Sequence, residues 1–164
     1  MERLWAPWRR EFVEKGTKVE GCIFCRFPGE EGDEADRRNL VLARSATSFA
    51  MVNKFPYTNG HLMVLPRRHA PTLEALPADE LADLTTLLQR AVGIVRRAYQ
   101  PDGLNLGMNL GKPAGAGIAD HLHWHIVPRW TGDSNFMPVI GETRVLIESP
   151  EQSWERLRPL FSGE

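Results

Sequence analysis

The chain has 164 residues, 20 lysines and arginines against 21 aspartates and glutamates, and a formal net charge of −1. That length can bury a core without disulfides or metals merely to fold, and the near balance of charge excludes a broad electrostatic pull toward nucleic acid or an anionic membrane. No apolar run reaches the roughly 18 residues of a membrane span, and "MERLWAPWRREF" lacks a leader's apolar stretch, so a cytoplasmic protein with no nucleic-acid or membrane partner is expected.

The first forty residues read as irregular: "LWAPWRREF" is aromatic and basic, "GCIFC" is compact, and "PGEEGDEADRR" reads as a solvated loop. Three runs of strand length follow, "NLVLAR", "SFAMVN" and "GHLMVLP", each bounded by turn-forming residues. They predict the start of an antiparallel meander.

From Pro77 to Gln100 the period changes, with Leu81, Leu84, Leu88, Ala91, Val92, Val95 and Tyr99 recurring three or four apart. This predicts one amphipathic helix, acidic at its start and basic at its end as the helix dipole favours, and closed by "PDG". Two further strands are expected, "LNLGMN" and "HLHWHIVPR", joined by the glycine-rich "LGKPAGAGIAD". The tail "SPEQSWERLRPLF" predicts a short last helix with Ser149 as N-cap and Pro150 at its first position. The large aromatics Trp130, Phe136 and Trp154 are expected in the core or at an interface.

Three of the five histidines stand at alternate positions, His121, His123 and His125. Side chains alternate across a strand, so the three imidazoles share one face while Leu122, Trp124 and Ile126 face the core. Such a row can ligate a metal, or it can offer one neutral nitrogen as a nucleophile whose neighbours fix its tautomer. The glycine-rich segment before it suits an anion, because its amides can approach phosphate oxygens closely. Imidazole beside phosphate suggests phosphoryl or nucleotidyl transfer. Cys22 and Cys25, spaced CxxC, suit metal binding or thiol chemistry, with two small buried cysteines as the plain alternative.

The motif His121-Leu-His123-Trp-His125-Ile-Val resembles the signature of the histidine triad (HIT) superfamily. The likeness extends through "MVNKFPYTNGHLMVLPRRH" and "GLNLGMNLGKPAGAGIADH", and the flanks look like the bacterial branch that contains diadenosine tetraphosphate phosphorylases. The resemblance implies an α+β fold, a mostly antiparallel sheet of about five strands with one long helix and a short C-terminal one. It implies a single domain over 1–164, with an extension at 1–38, a core at 39–130 and a tail at 131–164, and a homodimer.

It further implies catalysis by His121, His123 and His125. His123 is the nucleophile that carries the nucleoside monophosphate, and His125 donates to the phosphate oxygens with Asn109 and the backbone of Gly115, Ala116 and Gly117. Asn53 is expected at the ribose and His61 near the nucleotide. The substrate is a dinucleoside polyphosphate, and the acceptor is phosphate or water. Many members carry a donor side chain where this chain has Ala116-Gly117, which leaves Lys112, Asp120 or the substrate's own phosphates to assist the leaving group. A structural zinc is implied on Cys22, Cys25, His69 and His121. A metal-dependent hydrolase using the histidine row and a non-catalytic nucleotide-binding module are the alternatives.

Overall fold

A computed structural model describes residues 21–118, 120–133, 140 and 145–163. The N-terminal "LWAPWRREF" and Phe136 lie outside the described residues.

Five strands, β1 (Val41–Arg44), β2 (Ser48–Val52), β3 (Leu62–Pro66), β4 (Gly103–Met108) and β5 (Trp124–Arg129), form one sheet in the order β1-β2-β3-β5-β4. Every neighbouring pair is antiparallel. Four α-helices stand among the described residues: α1 (Ile23–Arg26), α2 (Asp33–Asn39), α3 (Ala78–Tyr99) and α4 (Pro150–Ser162).

All residues of β2 and β3 are buried, because the sheet is covered on both sides. On one face Ala50, Val52, Leu62 and Val64 meet Leu84, Leu87, Ala91, Ile94 and Val95 of α3. On the other, Phe49, Met51, Met63 and Leu65 lie under Phe24 of α1. The two strands therefore read as continuous apolar runs rather than as alternation.

The inward face of α3 includes Leu87 and Ile94, which the sequence pattern did not single out, while Leu88 and Val92 sit at its margin. Its C-cap Gln100 takes the left-handed conformation, φ 45°, one residue before Pro101 stops the chain from continuing as helix. Helix α4 starts with a complete capping box: the Ser149 hydroxyl accepts from Gln152 N at 3.2 Å, and Ser149 N donates to Gln152 Oε1 at 2.8 Å. Trp154, Leu157 and Phe161 then enter the core, and the Trp154 indole N–H donates to Val41 O at 2.7 Å.

The expectation of a solvated loop at "PGEEGDEADRR" is corrected: Asp33–Asn39 is helix α2. Asp36 is only 3% exposed, with Oδ1 2.6 Å from Arg44 and Oδ2 3.3 Å from Arg158. Partners distant in sequence bury what local polarity marks as surface.

The histidine strand is also shorter than expected. Continuing the β3–β5 register from Val64 opposite Trp124 would bring Pro66 opposite Leu122. Proline has no N–H to give the ladder. Leu122 N donates instead to Ala70 O at 2.7 Å, so His121 to His123 precede β5 outside the ladder. The alternation of faces survives: Leu122 and Ile126 are in the α3-side core, with Trp124 packed against it.

Candidate active site

The histidine rings lie on the sheet face opposite α3. Phe24 stands 5.5 Å from the His121 ring and 5.7 Å from that of His123, and the rings of His123 and His125 are 4.9 Å apart.

The hydrogen-bond partners fix the tautomers. The His123 Nδ1–H donates to His121 O at 2.8 Å, a carbonyl that can only accept. The lone pair of His123 is therefore on Nε2. Burial holds this imidazole below its ordinary pKa of 6.5, partly offset by that same hydrogen bond, so it is neutral at pH 7.

His121 is fully buried and its Nε2–H donates to Pro66 O at 2.8 Å, which leaves the Nδ1 lone pair free for the cysteines. Nδ1 is 3.3 Å from Cys22 Sγ and 3.5 Å from Cys25 Sγ, and the Nδ1 of His69 is 3.3 Å from Cys25 Sγ. Burial first, then the nearby imidazoles of His69 and His123, push His121 down to about 4 against the pull of the Pro66 carbonyl. The ligating atoms of Cys22, Cys25, His69 and His121 all lie within 4.8 Å of one another. Two thiols and two imidazoles closing on one point are the donor set that zinc takes in closed tetrahedral sites.

A fourth histidine completes the arrangement. His61, expected near the nucleotide, stands one residue before β3 and is fully buried. Tyr57 N donates to its Nδ1 at 3.0 Å, so Nε2 carries the hydrogen and donates to His125 Nδ1 at 2.9 Å. In the neutral ring of His125 the remaining hydrogen is then on Nε2. The Tyr57 ring covers this pair, 4.6 Å from His61 and 5.8 Å from His125. Asn53 is buried behind His61, with Nδ2 3.4 Å from its ring nitrogens and Oδ1 accepting from Phe55 N at 2.9 Å. No local signal marks the contact between His61 and His125, which spans 64 residues of chain.

Burial and the neighbouring imidazoles of His125 and His123 hold His61 well below 6.5. The unfolded chain protonates this residue near 6.5 while the folded chain does not, so it withdraws stability as pH falls below about 6.5. We expect His61→Leu to flatten the acid limb of stability against pH by up to about 1.4 kcal/mol per pH unit, one proton's worth. Denaturant titrations from pH 7 to pH 5 check this, and an unchanged slope would contradict it.

The glycine-rich loop departs from expectation. Gly115 N donates to Lys112 O at 2.9 Å and Ala116 N to Gly111 O at 3.4 Å, so these two amides serve the loop's own turn at Lys112–Ala114 rather than a ligand. Gly115 requires its conformation, with φ +93°. The Asn109 amide donates to Gly115 O at 3.4 Å, Ala116 is buried and Gly117 is exposed. The Gly117 N–H makes no hydrogen bond among the described residues.

Residues 35–132 match the HIT domain family. The chain belongs to this family. It is 37% identical over 150 residues to AP-4-A phosphorylase of Mycobacterium tuberculosis, covering 89% of this chain and 77% of that protein. It is 33% identical over 132 residues to bis(5'-adenosyl)-triphosphatase of Dictyostelium discoideum, covering 76% and 87%. Among solved structures, a Zn-bound histidine triad family protein from Mycobacterium smegmatis superposes with a TM-score of 0.66 at 26% identity, covering 87% of this chain and 94% of that one.

Proposed function

We propose that the protein cleaves dinucleoside polyphosphates of the diadenosine tetraphosphate type by nucleotidyl transfer through His123. The observation that carries this is the 2.8 Å contact of His123 Nδ1 with the His121 carbonyl, which requires the hydrogen on Nδ1 and so leaves a lone pair on Nε2 to act as nucleophile. The relatives named above act, by their names, on diadenosine polyphosphates.

In the first step the Nε2 lone pair attacks the α-phosphorus, a P–N bond forms, and the bond to the bridging oxygen breaks, so ATP departs from diadenosine tetraphosphate. In the second a phosphate oxygen attacks the same phosphorus, the P–N bond breaks, and ADP leaves with His123 restored. With water as acceptor the product is AMP. We favour phosphate, after the name of the 37% identical relative.

The His125 Nε2–H donates to the non-bridging oxygens, where charge is held in transfer. Asn109 and the Gly117 amide flank the phosphate beside Gly115 and Ala116, and Asn53 supports the ribose side. Ala116-Gly117 supplies no donor side chain, but the departing oxygen belongs to a polyphosphate and leaves as a stable anion, so it needs little protonation. His121 acts twice, its carbonyl fixing His123 and its ring facing the cysteines. The three triad rings take three different sets of partners, which favours division of labour over a shared catalytic metal.

Cys22, Cys25, His69 and His121 would hold a zinc that ties α1 and the residue before it to the catalytic segment, and with four protein ligands its role would be structural. We expect about one zinc per chain, lost in Cys22→Ala, and a chelator that lowers the melting temperature before it affects turnover. Prompt loss of activity on fully folded protein would point to a catalytic metal instead. A single domain over 1–164, a homodimer and a cytoplasmic location without nucleic-acid partners complete the reading. The near-zero net charge supports the absence of nucleic acid, and no described helix is long and apolar enough to cross a membrane.

The test is product analysis on diadenosine tetraphosphate with and without inorganic phosphate. ATP with ADP in phosphate and ATP with AMP in its absence is the expected pattern. No cleavage in either buffer would refute the reading.

A further inference from the structure

The hydrogen bond from His61 to His125 depends on a turn, residues 57–61, that holds itself weakly. Within it His61 N donates to Thr58 O at a long 3.3 Å, and Asn53 N closes its base onto His61 O at 2.9 Å. The Tyr57 amide must nevertheless point at His61 Nδ1.

Three consecutive residues of the turn are gripped from outside. The Thr58 hydroxyl donates to Pro128 O at 2.9 Å, on β5 itself. Asn59 Oδ1 accepts from Ile147 N at 3.2 Å and Glu148 N at 3.3 Å. Gly60, with φ +71°, lies directly under the Tyr99 ring: a Cβ there would stand 2.5 Å from Tyr99 Cε2. Only glycine admits this approach, and the ring is pressed against main chain immediately before His61.

The ring is itself fixed. Its hydroxyl donates to Glu148 Oε2 at 2.7 Å, and the same carboxylate accepts from Ser153 at 3.0 Å and from Arg156 at 2.8 Å. The Arg156 guanidinium lies 4.4 Å from the ring centroid, and Trp130 meets the ring edge-on at 6.5 Å. Glu148 thus links two supports of one turn: its amide is bound by Asn59 and its side chain by Tyr99.

We propose that Tyr99, anchored by Glu148, is a positioning residue that sets the height of Gly60 and thereby the hydrogen bond from His61 to His125. The proposal rests on the functional reading above, in which His125 faces the phosphate. Hydrogen bonds weaken steeply with misalignment, so sinking of Gly60 into space vacated by the ring would carry the His61 Nε2–H off His125.

The test measures imidazole nitrogen shifts by NMR alongside kcat and KM on diadenosine tetraphosphate. Tyr99→Leu is expected to turn His125 from the Nε2–H tautomer to a mixture, and to lower kcat by about 10- to 100-fold with little change in KM, as small misplacements do. Tyr99→Phe keeps the ring over Gly60 but cuts its hydrogen bond to Glu148, and should move the shifts and kcat in the same direction by less than Tyr99→Leu. A Tyr99→Leu protein that melts lower but retains wild-type nitrogen shifts and kcat would overturn the proposal. Should that variant not fold, Glu148→Ala leaves the core filled and is expected to move the shifts the same way; unchanged shifts there would equally overturn it. A wild-type chain with no cleavage activity would sink the functional reading alone, since the nitrogen shifts still decide what Tyr99 does.

Discussion

Replacing His123 by asparagine is expected to lower kcat on diadenosine tetraphosphate by about 10⁴-fold or more, the scale seen when a nucleophile that acts as one unit with its neighbours is removed. An asparagine amide can still donate to the His121 carbonyl, so the segment keeps its course, but it offers no basic lone pair where Nε2 stood. The melting temperature should change little. Steady-state rates with a melting curve on the same preparation check both halves, and a variant retaining a tenth of the wild-type rate would contradict the assigned nucleophile.

The second large effect falls on stability, far from the histidines. Asp36 is buried between Arg44 and Arg158, and Arg44 also donates to the carbonyls of Pro28 at 3.2 Å and Glu30 at 2.8 Å. These contacts join the turn after α1, strand β1 and helix α4 at one carboxylate. Removing one member of a buried ion pair leaves the other's charge uncompensated and costs about 3–5 kcal/mol. Arg44 keeps its carbonyl acceptors, which argues for the lower end. For a chain of this size Asp36→Ala should therefore lower the melting temperature by on the order of 10 °C, with activity at low temperature preserved. A drop of a degree or two would mean that Arg44 relaxes into water.

How far sequence alone reached follows from which interactions are local. The runs that became β2 and β3 are apolar at nearly every position, and α3 repeats its apolar residues at helical spacing, so both elements announce themselves. Ser149, Pro150 and Gln152 spell out the start of α4 within four residues. Helix α2 has no apolar period, and what buries it is an aspartate whose partners are Arg44 and Arg158. The zinc ligand set could be proposed from residue types and family likeness, and those residues come together in space. The link of His61 to His125, the turn that aims it and the loop amides already spent on Lys112 and Gly111 are tertiary facts with no local signature.

The family signature marks three histidines, and the structure adds a fourth ring, His61, and the His121 carbonyl to their hydrogen bonds. Each triad ring has one nitrogen whose partner sets the state of the other. His123 is left with a lone pair, His125 with a hydrogen, and His121 with a lone pair facing two thiols.

The most direct measurement is a rapid acid-free quench of the protein with diadenosine tetraphosphate labelled at the α-phosphorus, followed by peptide mapping. A nucleotidyl label on His123, stable in base, released by mild acid and absent from His123→Asn, is the expected result. Label on another residue, or turnover with none on the protein at any time, would contradict nucleotidyl transfer through this imidazole.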